Sequence, residues 1–272
     1  MRVLFWNASK NPAAVQLALD QIIPMDLDLL LMAEAPLLGL PSNTEPIASP
    51  ERGGIQAIRR TGSSLHVREL GTMPNGRMRA FGISRVGATK RLLLFGTHFS
   101  SRVNHLTEYR QANETESHVL WIEAMERKYT DSSLVVGDLN MDPYSPSMVY
   151  IRGFNALMTA RQKARRAGGF ERRTFFNPMW RFYGHPPYGT YYLKKPQELG
   201  YHWHMLDQVL LRNELASHLD EIQILTKLGD QTLVSAQANL PIKKFSDHLP
   251  LFFCLNNGAF EAAPFPKNQE QP

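Results

Sequence analysis

Short apolar runs recur along the chain, and several end on a polar residue. Residues 3–6 (VLFW) deliver Asn7, and residues 27–33, apolar apart from Asp28 inside them, deliver Glu34. The run LLLFGT delivers His98; the run LVV, broken by Gly137, delivers Asp138 with Asn140 two residues on. Apolar runs of this length bounded by turn residues read as buried strands. A polar residue just past such a strand lies at the edge of a sheet, where a ligand can reach it. Two later runs reverse the order: Asp207 precedes QVLLR, and Asp247-His248 precede LPLFFCL. If those two strands run antiparallel to the others, Asn7, Glu34, His98, Asp138, Asp207, Asp247 and His248 meet at one edge. The pattern therefore predicts a single polar cleft.

Further strands are expected at residues 55–59, 65–70, 78–86 and 91–97. Glycine-bearing turns separate them, which suits antiparallel neighbours. Later strands are expected within MLDQVLLR, QILTKL and SDHLPLFFCL. Pro12 opens a helix, AAVQLALDQII, with apolar residues near 3.6 spacing and proline in a favoured early position. Residues 104–128 are polar-rich without proline or glycine and read as a long helix, and residues 146–150 as the start of a short one. Residues 36–54 read as a loop, and GHPPYGTYY begins an irregular segment placed near the cleft. No repeat or linker divides the chain, so one domain is expected over 1–256, followed by a disordered tail over 257–272.

Composition changes this picture little. The 272 residues are 43% hydrophobic and 20% charged, enough for a sizeable core. A net charge of +5 and a pI near 9.3 favour a polyanionic partner such as nucleic acid or anionic lipid. A single cysteine, Cys254, excludes an internal disulfide framework and a cysteine zinc cluster; in its apolar run it reads as a buried, inert thiol. The apolar core of the amino terminus is too short for a signal peptide, and no run is long enough to span a bilayer. A cytoplasmic protein without integral membrane association is the expectation.

The chemistry of such a cleft follows from its residue types. Carboxylates and an amide oxygen are hard ligands suited to Mg²⁺ or Mn²⁺. A histidine paired with a carboxylate acts as general base toward water, the carboxylate fixing its tautomer. A second histidine donates to a phosphoryl oxygen. Together these make a metal-assisted phosphodiesterase or phosphatase. Each residue also has a plainer reading: Asn7, Asp138 and Asn140 as turn formers, Glu34 as a solvated carboxylate, His98 as a structural histidine, Asp247-His248 as a polar turn. Asp207 resists one, because a buried carboxylate is costly unless paired.

The ordered set resembles the endonuclease/exonuclease/phosphatase superfamily, which includes deoxyribonuclease I. Its matching pieces are Asn7 in LFWNAS, Glu34 in LLLMAEA, Thr97-His98, GDLN at 137–140, Asp207 in MLDQVLL, and SDH at 246–248. The resemblance implies an α+β fold: a four-layer α/β/β/α sandwich of two packed mixed sheets with outer helices. It implies that Glu34, with Asn7, forms the main site for Mg²⁺ or Mn²⁺, with Asp247 completing it. Asp207 and His248 become the pair that activates water. Asp138 and Asn140 orient the nucleophile and stabilise the transition state. His98 matches the histidine-bearing branches, whereas the abasic-site branch usually carries a tyrosine–proline–asparagine segment there. The arginine that the family usually places just before Asp207 is missing, since Met205-Leu206 stand in its place.

For the substrate, the richest stretch is residues 161–181. Its Arg165, Arg166, Arg172 and Arg173 alternate with Phe170, Phe175, Phe176 and Trp180, as phosphate neutralisation and base stacking require. The alternative is a solvated basic helix followed by core aromatics. A nuclease binding through these four arginines is the first reading. A phosphatase or phosphodiesterase acting on phosphoinositides, lipids or small phosphate esters is the second. A non-catalytic nucleic-acid binder and a passive scaffold are weaker, since both leave the full set of catalytic residue types unexplained.

Overall fold

Two large sheets carry the chain. In a computed structural model describing residues 1–49, 54–101, 108–194, 202–236 and 240–261, the first sheet has six strands. Their order is β16 (Leu219–Ile224), β19 (Leu251–Leu255), β1 (Arg2–Asn7), β2 (Leu29–Ala33), β4 (Gln56–Arg60) and β3 (Thr44–Ala48). The second sheet has seven: β5 (Leu65–Thr72), β6 (Met78–Arg85), β7 (Leu92–His98), β8 (Ser133–Asp138), β15 (Asp207–Arg212), β12 (Phe175–Phe176) and β9 (Ala156–Leu157). Three small pairs complete the strands: β10 (Ala164–Ala167) with β11 (Phe170–Arg173), β13 (Tyr191–Tyr192) with β14 (Trp203–His204), and β17 (Lys227–Leu228) with β18 (Gln231–Thr232). The helices are α1 (Pro12–Asp20), α2 (Glu108–Lys128) and the short α3 (Pro146–Val149).

The continuous apolar runs are explained by burial of both sheet faces. Along β7, Leu92 and Leu94 join the core between the sheets, while Leu93 and Phe95 join a second cluster under α2 with Val119 and Ile122. β8 divides the same way, with Leu134 and Val136 inward and Val135 outward. On the first sheet α1 packs Ala14, Val15, Ala18 and Leu19 into the core. Asn11 caps this helix, accepting from the Ala13 amide at 2.9 Å, and Pro12 fills its first position. The expected α+β sandwich of two mixed sheets is the architecture found.

Four local expectations need correction. The loop expected over 36–54 contains β3, an edge strand; an edge position tolerates Pro46, whose lack of an N–H disguised it. The basic stretch forms the β10–β11 hairpin, turning at Gly168-Gly169, both at positive φ, so a helix reading fails there. The chain stays folded past 256: residues Asn257–Phe260 make a 3₁₀ turn that buries Ala259 and Phe260. Cys254 is half-buried, because its side chain lies at the rim of the first sheet's core. The helix start expected at 104 and the tail over 262–272 lie outside the described residues. Among the described residues, no helix is long and apolar enough to cross a membrane.

Candidate active site

Register assembles the site. β7 and β8 run parallel with His98 opposite Asp138, and β15 runs antiparallel to β8 with Asp207 opposite the same Asp138. Cross-strand partners share a face, so His98, Asp138 and Asp207 form one row, on the face that Leu94, Val136 and Val209 turn toward the inter-sheet core. β19 runs antiparallel to β1, and β1 is parallel to β2. That brings Asp247-His248, Asn7 and Glu34 to the same mouth. The antiparallel condition read from the sequence is met by both strands.

Gly137 makes the close approach of β7 and β8 possible. Its φ is +154°, and a Cβ there would collide with the Thr97 carbonyl. Glu34 and Asn140 sit at φ +46° and +50°, left-handed conformations that non-glycine residues adopt sparingly and that cluster at functional sites.

A hydrogen-bond network holds the row. His248 Nδ1 and Asp207 Oδ2 are 2.8 Å apart, and Thr190 Oγ1 accepts from the Asp207 amide at 3.0 Å. The other carboxylate oxygen, Asp207 Oδ1, is buried without a partner among the described residues. Asn7 Nδ2 donates to Asp138 Oδ2 at 2.9 Å, tying the two sheets together, and the Asn140 amide donates to Asp138 Oδ1 at 2.9 Å. Asn140 Nδ2 donates to the Phe99 carbonyl, which fixes that side chain beside His98. His98 Nε2 lies 3.4 Å from Glu34 Oε1 and 3.9 Å from Asp138 Oδ2; His248 Nε2 lies 3.9 Å from the same Asp138 oxygen. The two imidazoles thus flank one carboxylate.

Burial by itself would lower the His248 imidazole, but the Asp207 carboxylate against it, with Asp138 and Asp247 nearby, raises it to about 10. Burial raises Asp207, against the pull of His248. The direction for the pair is retention of a proton through the neutral range, because three carboxylates face one ring. Burial, with Asp247 and Asp138, also raises the Tyr191 phenol, keeping it a donor.

The cleft encloses about 360 Å³. Glu34, Asp138, Asp142 and Asp247 line it, and among the described residues no lysine or arginine does. Four carboxylates without a lining cation suit a hard divalent ion. Glu34 and Asp247, with the Asn7 amide oxygen behind them, are the donors that would hold it. Asp138, Asp207 and His248 also bring one ligand atom each within 4.8 Å of one another. A metal bound there would compete with the Asp207–His248 hydrogen bond, so the oxygen-rich rim fits a divalent ion better.

The four arginines expected to bind substrate are not brought to this cleft. Phe175, two residues past Arg173, pairs with Arg212, five residues along β15 from Asp207, or about 17 Å at the usual strand rise. The hairpin therefore hangs from the opposite end of the second sheet, and its arginines serve the protein itself. Arg165 donates to the Val149 carbonyl and to Asn155 Oδ1. Arg172 pairs with Glu123 at 2.9 Å and donates to the Arg152 carbonyl. Arg173 pairs with Glu214 at 2.8 Å, and exposed Arg166 with Glu171 at 2.8 Å. Phe175 is a core residue, and Phe170 lies under Arg152. Accordingly, Arg172→Ala should lower the unfolding midpoint in urea by an amount worth about 1–3 kcal/mol. It should leave the KM for any polynucleotide unchanged; a raised KM with an unaltered midpoint would restore the substrate role.

Sequence reasoning passed over Ser9, Thr190 and Asp142. Ser9 donates through Oγ to Asp247 and through its amide to Asn7 Oδ1, bracing both side chains at the rim. Thr190 has no local signal, since its role depends on a distant strand. Asp142 closes the same LVVGDLNMD stretch as Asp138, and its spacing from Asn140 was the available hint.

No family profile matches the chain, and no curated protein matches it in sequence. Solved structures do match its fold. A mannosyl-6-phosphatase of Bacteroides thetaiotaomicron VPI-5482 superposes with a TM-score of 0.58 at 13% identity, covering 94% of this chain and 99% of that one. An endonuclease/exonuclease/phosphatase family protein of the same organism gives 0.55 at 14%, covering 93% and 96%. The AP endonuclease of Leishmania major gives 0.61 at 15%, covering 93% and 86%. At these identities the likeness is one of fold.

Proposed function

We propose that this chain, which has the fold of the endonuclease/exonuclease/phosphatase proteins, is a phosphoric ester hydrolase that uses a divalent cation and a histidine-activated water. The observation carrying the reading is the buried Asp207–His248 pair, whose Nε2 faces Asp138 inside a carboxylate-rimmed cleft. His248 Nε2, whose proton the bare carboxylates hold and a cation on Glu34 and Asp247 would release by neutralising them, takes a proton from water, and Asp207 holds the ring and stabilises the imidazolium that forms. Asp138, fixed by Asn7 and the Asn140 amide, orients that water. Asn140 and His98, on the far side of Asp138, supply donors to the phosphoryl oxygens. Mg²⁺ or Mn²⁺ held by Glu34 and Asp247 with Asn7 would neutralise charge developing on those oxygens.

Within the class, a compact phosphate ester is favoured over a polynucleotide. The arginine-rich track that argued for nucleic acid hangs from the other end of the sheet and is bound to the protein. A nuclease remains the second reading on the net charge of +5. The test is hydrolysis by the full chain with Mg²⁺ or Mn²⁺ of plasmid, single-stranded DNA, RNA, a hexose 6-phosphate, an inositol polyphosphate and bis-p-nitrophenyl phosphate. Turnover of the compact esters that EDTA abolishes is the expected result. Cutting of polynucleotides alone would select the nuclease, and no turnover of any member would sink the hydrolase reading.

A further inference from the structure

The outer face of the second sheet carries a groove of about 520 Å³, away from the cleft. Alternation decides what enters it. On β5, Leu65 and Val67 turn toward the inter-sheet core, so His66 and Arg68 face outward. On β6, Phe81 and Ile83 turn inward, which leaves Gly82 and Ser84 on the outer side. Register then sets the neighbours. His66 pairs with Ser84 and Arg68 with Gly82 across β5–β6, and Gly82 pairs with Leu93 across β6–β7. Arg91 comes two residues before Leu93, level with Ser84, and lines the far side. Gly82 keeps the floor open, since a Cβ there would stand 3.1 Å from Leu70 Cδ1, another lining residue. Tyr129 and Thr130, just past α2, also line the groove, and Lys128 Nζ stands 5.0 Å from the centre of the Tyr129 ring.

We infer that this groove binds a small phosphate monoester built on a flat ring, of which a nucleoside monophosphate is the type. Arg68 and Arg91 are exposed and flank the Gly82–Ser84 floor on a diagonal. Their backbones stand about 10 Å apart across the sheet and about 7 Å apart along it, from ordinary strand spacing. Guanidiniums reaching inward from those two positions meet over the floor, where they clamp the oxygens of one phosphate by paired hydrogen bonds. Ser84 offers a hydroxyl from beneath, and His66 beside it adds ring N–H donors. Leu70, Leu93 and Tyr129 supply the apolar and aromatic wall for the ring, in a volume ordinary for a small-molecule pocket. A polynucleotide calls instead for cations strung along successive phosphates, whereas these converge on one point. The site is separate from the hydrolytic cleft. Leu93 lies five residues along β7 from His98, or about 17 Å, and faces the other side of the sheet.

The test is calorimetric titration of the full chain, in EDTA so that no divalent ion loads the cleft. The probes are adenosine monophosphate, inorganic phosphate and adenosine. Wild type should bind one adenosine monophosphate, inorganic phosphate about tenfold more weakly or less, and adenosine not measurably. Arg68→Gln and Arg91→Gln should each weaken the nucleotide by about tenfold or more. Arg161→Gln and Arg181→Gln, which remove the same charge from exposed positions elsewhere, should leave it unchanged. Arg68→Lys should recover only part of the loss, because an ammonium lacks the two-pronged bond. Thermal melts establish that each variant is folded. Equal weakening by all four glutamine variants overturns the site, since net charge alone would then account for binding. Adenosine bound as tightly as its monophosphate overturns the phosphate clamp. A single-stranded oligonucleotide that loses more affinity than the mononucleotide in Arg68→Gln and Arg91→Gln overturns the small-ligand assignment in favour of a polynucleotide surface. No binding of the nucleotide by folded wild type removes the inference and leaves the hydrolase reading untouched.

Discussion

Replacing His248 by glutamine is expected to lower kcat on phosphate esters by roughly 10³-fold or more while the protein stays folded. Glutamine is preferred to alanine for this test because its amide still donates to Asp207 Oδ2. Alanine would strip the His248 hydrogen bond from a fully buried carboxylate, mixing a folding defect with the catalytic one. Asp207→Asn should cost on the order of 10⁴ in kcat, because an amide no longer stabilises the imidazolium and selects the wrong tautomer. The two losses should be far from additive, since the residues act as a unit. Turnover within tenfold of wild type in His248→Gln would remove this ring from the base role and shift attention to His98.

The same pair makes a stability prediction with a definite sign. The folded imidazole is raised from 6.5 to about 10, so its contribution is fully present below the unfolded value and is lost as pH climbs through about 10. In EDTA, the urea midpoint of wild type should therefore fall between pH 7 and pH 10 more steeply than that of His248→Gln. Parallel slopes in the two proteins would show that the proton is not held there.

Arg212→Ala is expected to be the most damaging single change away from the cleft, costing about 3–5 kcal/mol of stability. Arg212 is 1% exposed, donates through Nε and Nη2 to the two oxygens of Glu126 at 2.7 and 2.9 Å, and lies 3.8 Å over the Phe175 ring. Glu126 also accepts from Ser133 Oγ at the start of β8. The pair thus joins α2, β8, β12 and β15, the frame from which Asp138 and Asp207 project. Removing the guanidinium leaves a buried charge whose remaining cation, Arg173, stands 3.6 Å away at the rim. The double change Arg212→Met with Glu126→Leu should recover much of the loss, since an apolar pair of similar volume needs no compensation. A loss below about 1 kcal/mol in Arg212→Ala, read from urea midpoints, would show that the pair carries little.

Much of the site was legible because strand ends are local features. An apolar run with a polar residue at its end places that residue at a sheet edge wherever the strand goes, and Asn7, Glu34, His98, Asp138 and Asp207 each carried that signature. The hairpin arginines were misplaced for the complementary reason. Their spacing with aromatics suits nucleic acid, but spacing does not say which end of a sheet a segment hangs from. Asp142–His204 illustrates the same gap: its members stand 62 residues apart, and their encounter depends on β13 pairing with β14.

The amino-acid order alone therefore determined the two-sheet core, through runs buried on both faces, and the ordered set of polar groups delivered to one mouth. Tertiary structure alone decided where the basic hairpin docks, away from the cleft, and that Asp142 meets His204. The physical reason is that alternation and strand ends are properties of neighbouring residues. The pairing of β12 with β15 and of β13 with β14 is instead settled by burial across the whole core, which no window along the chain contains.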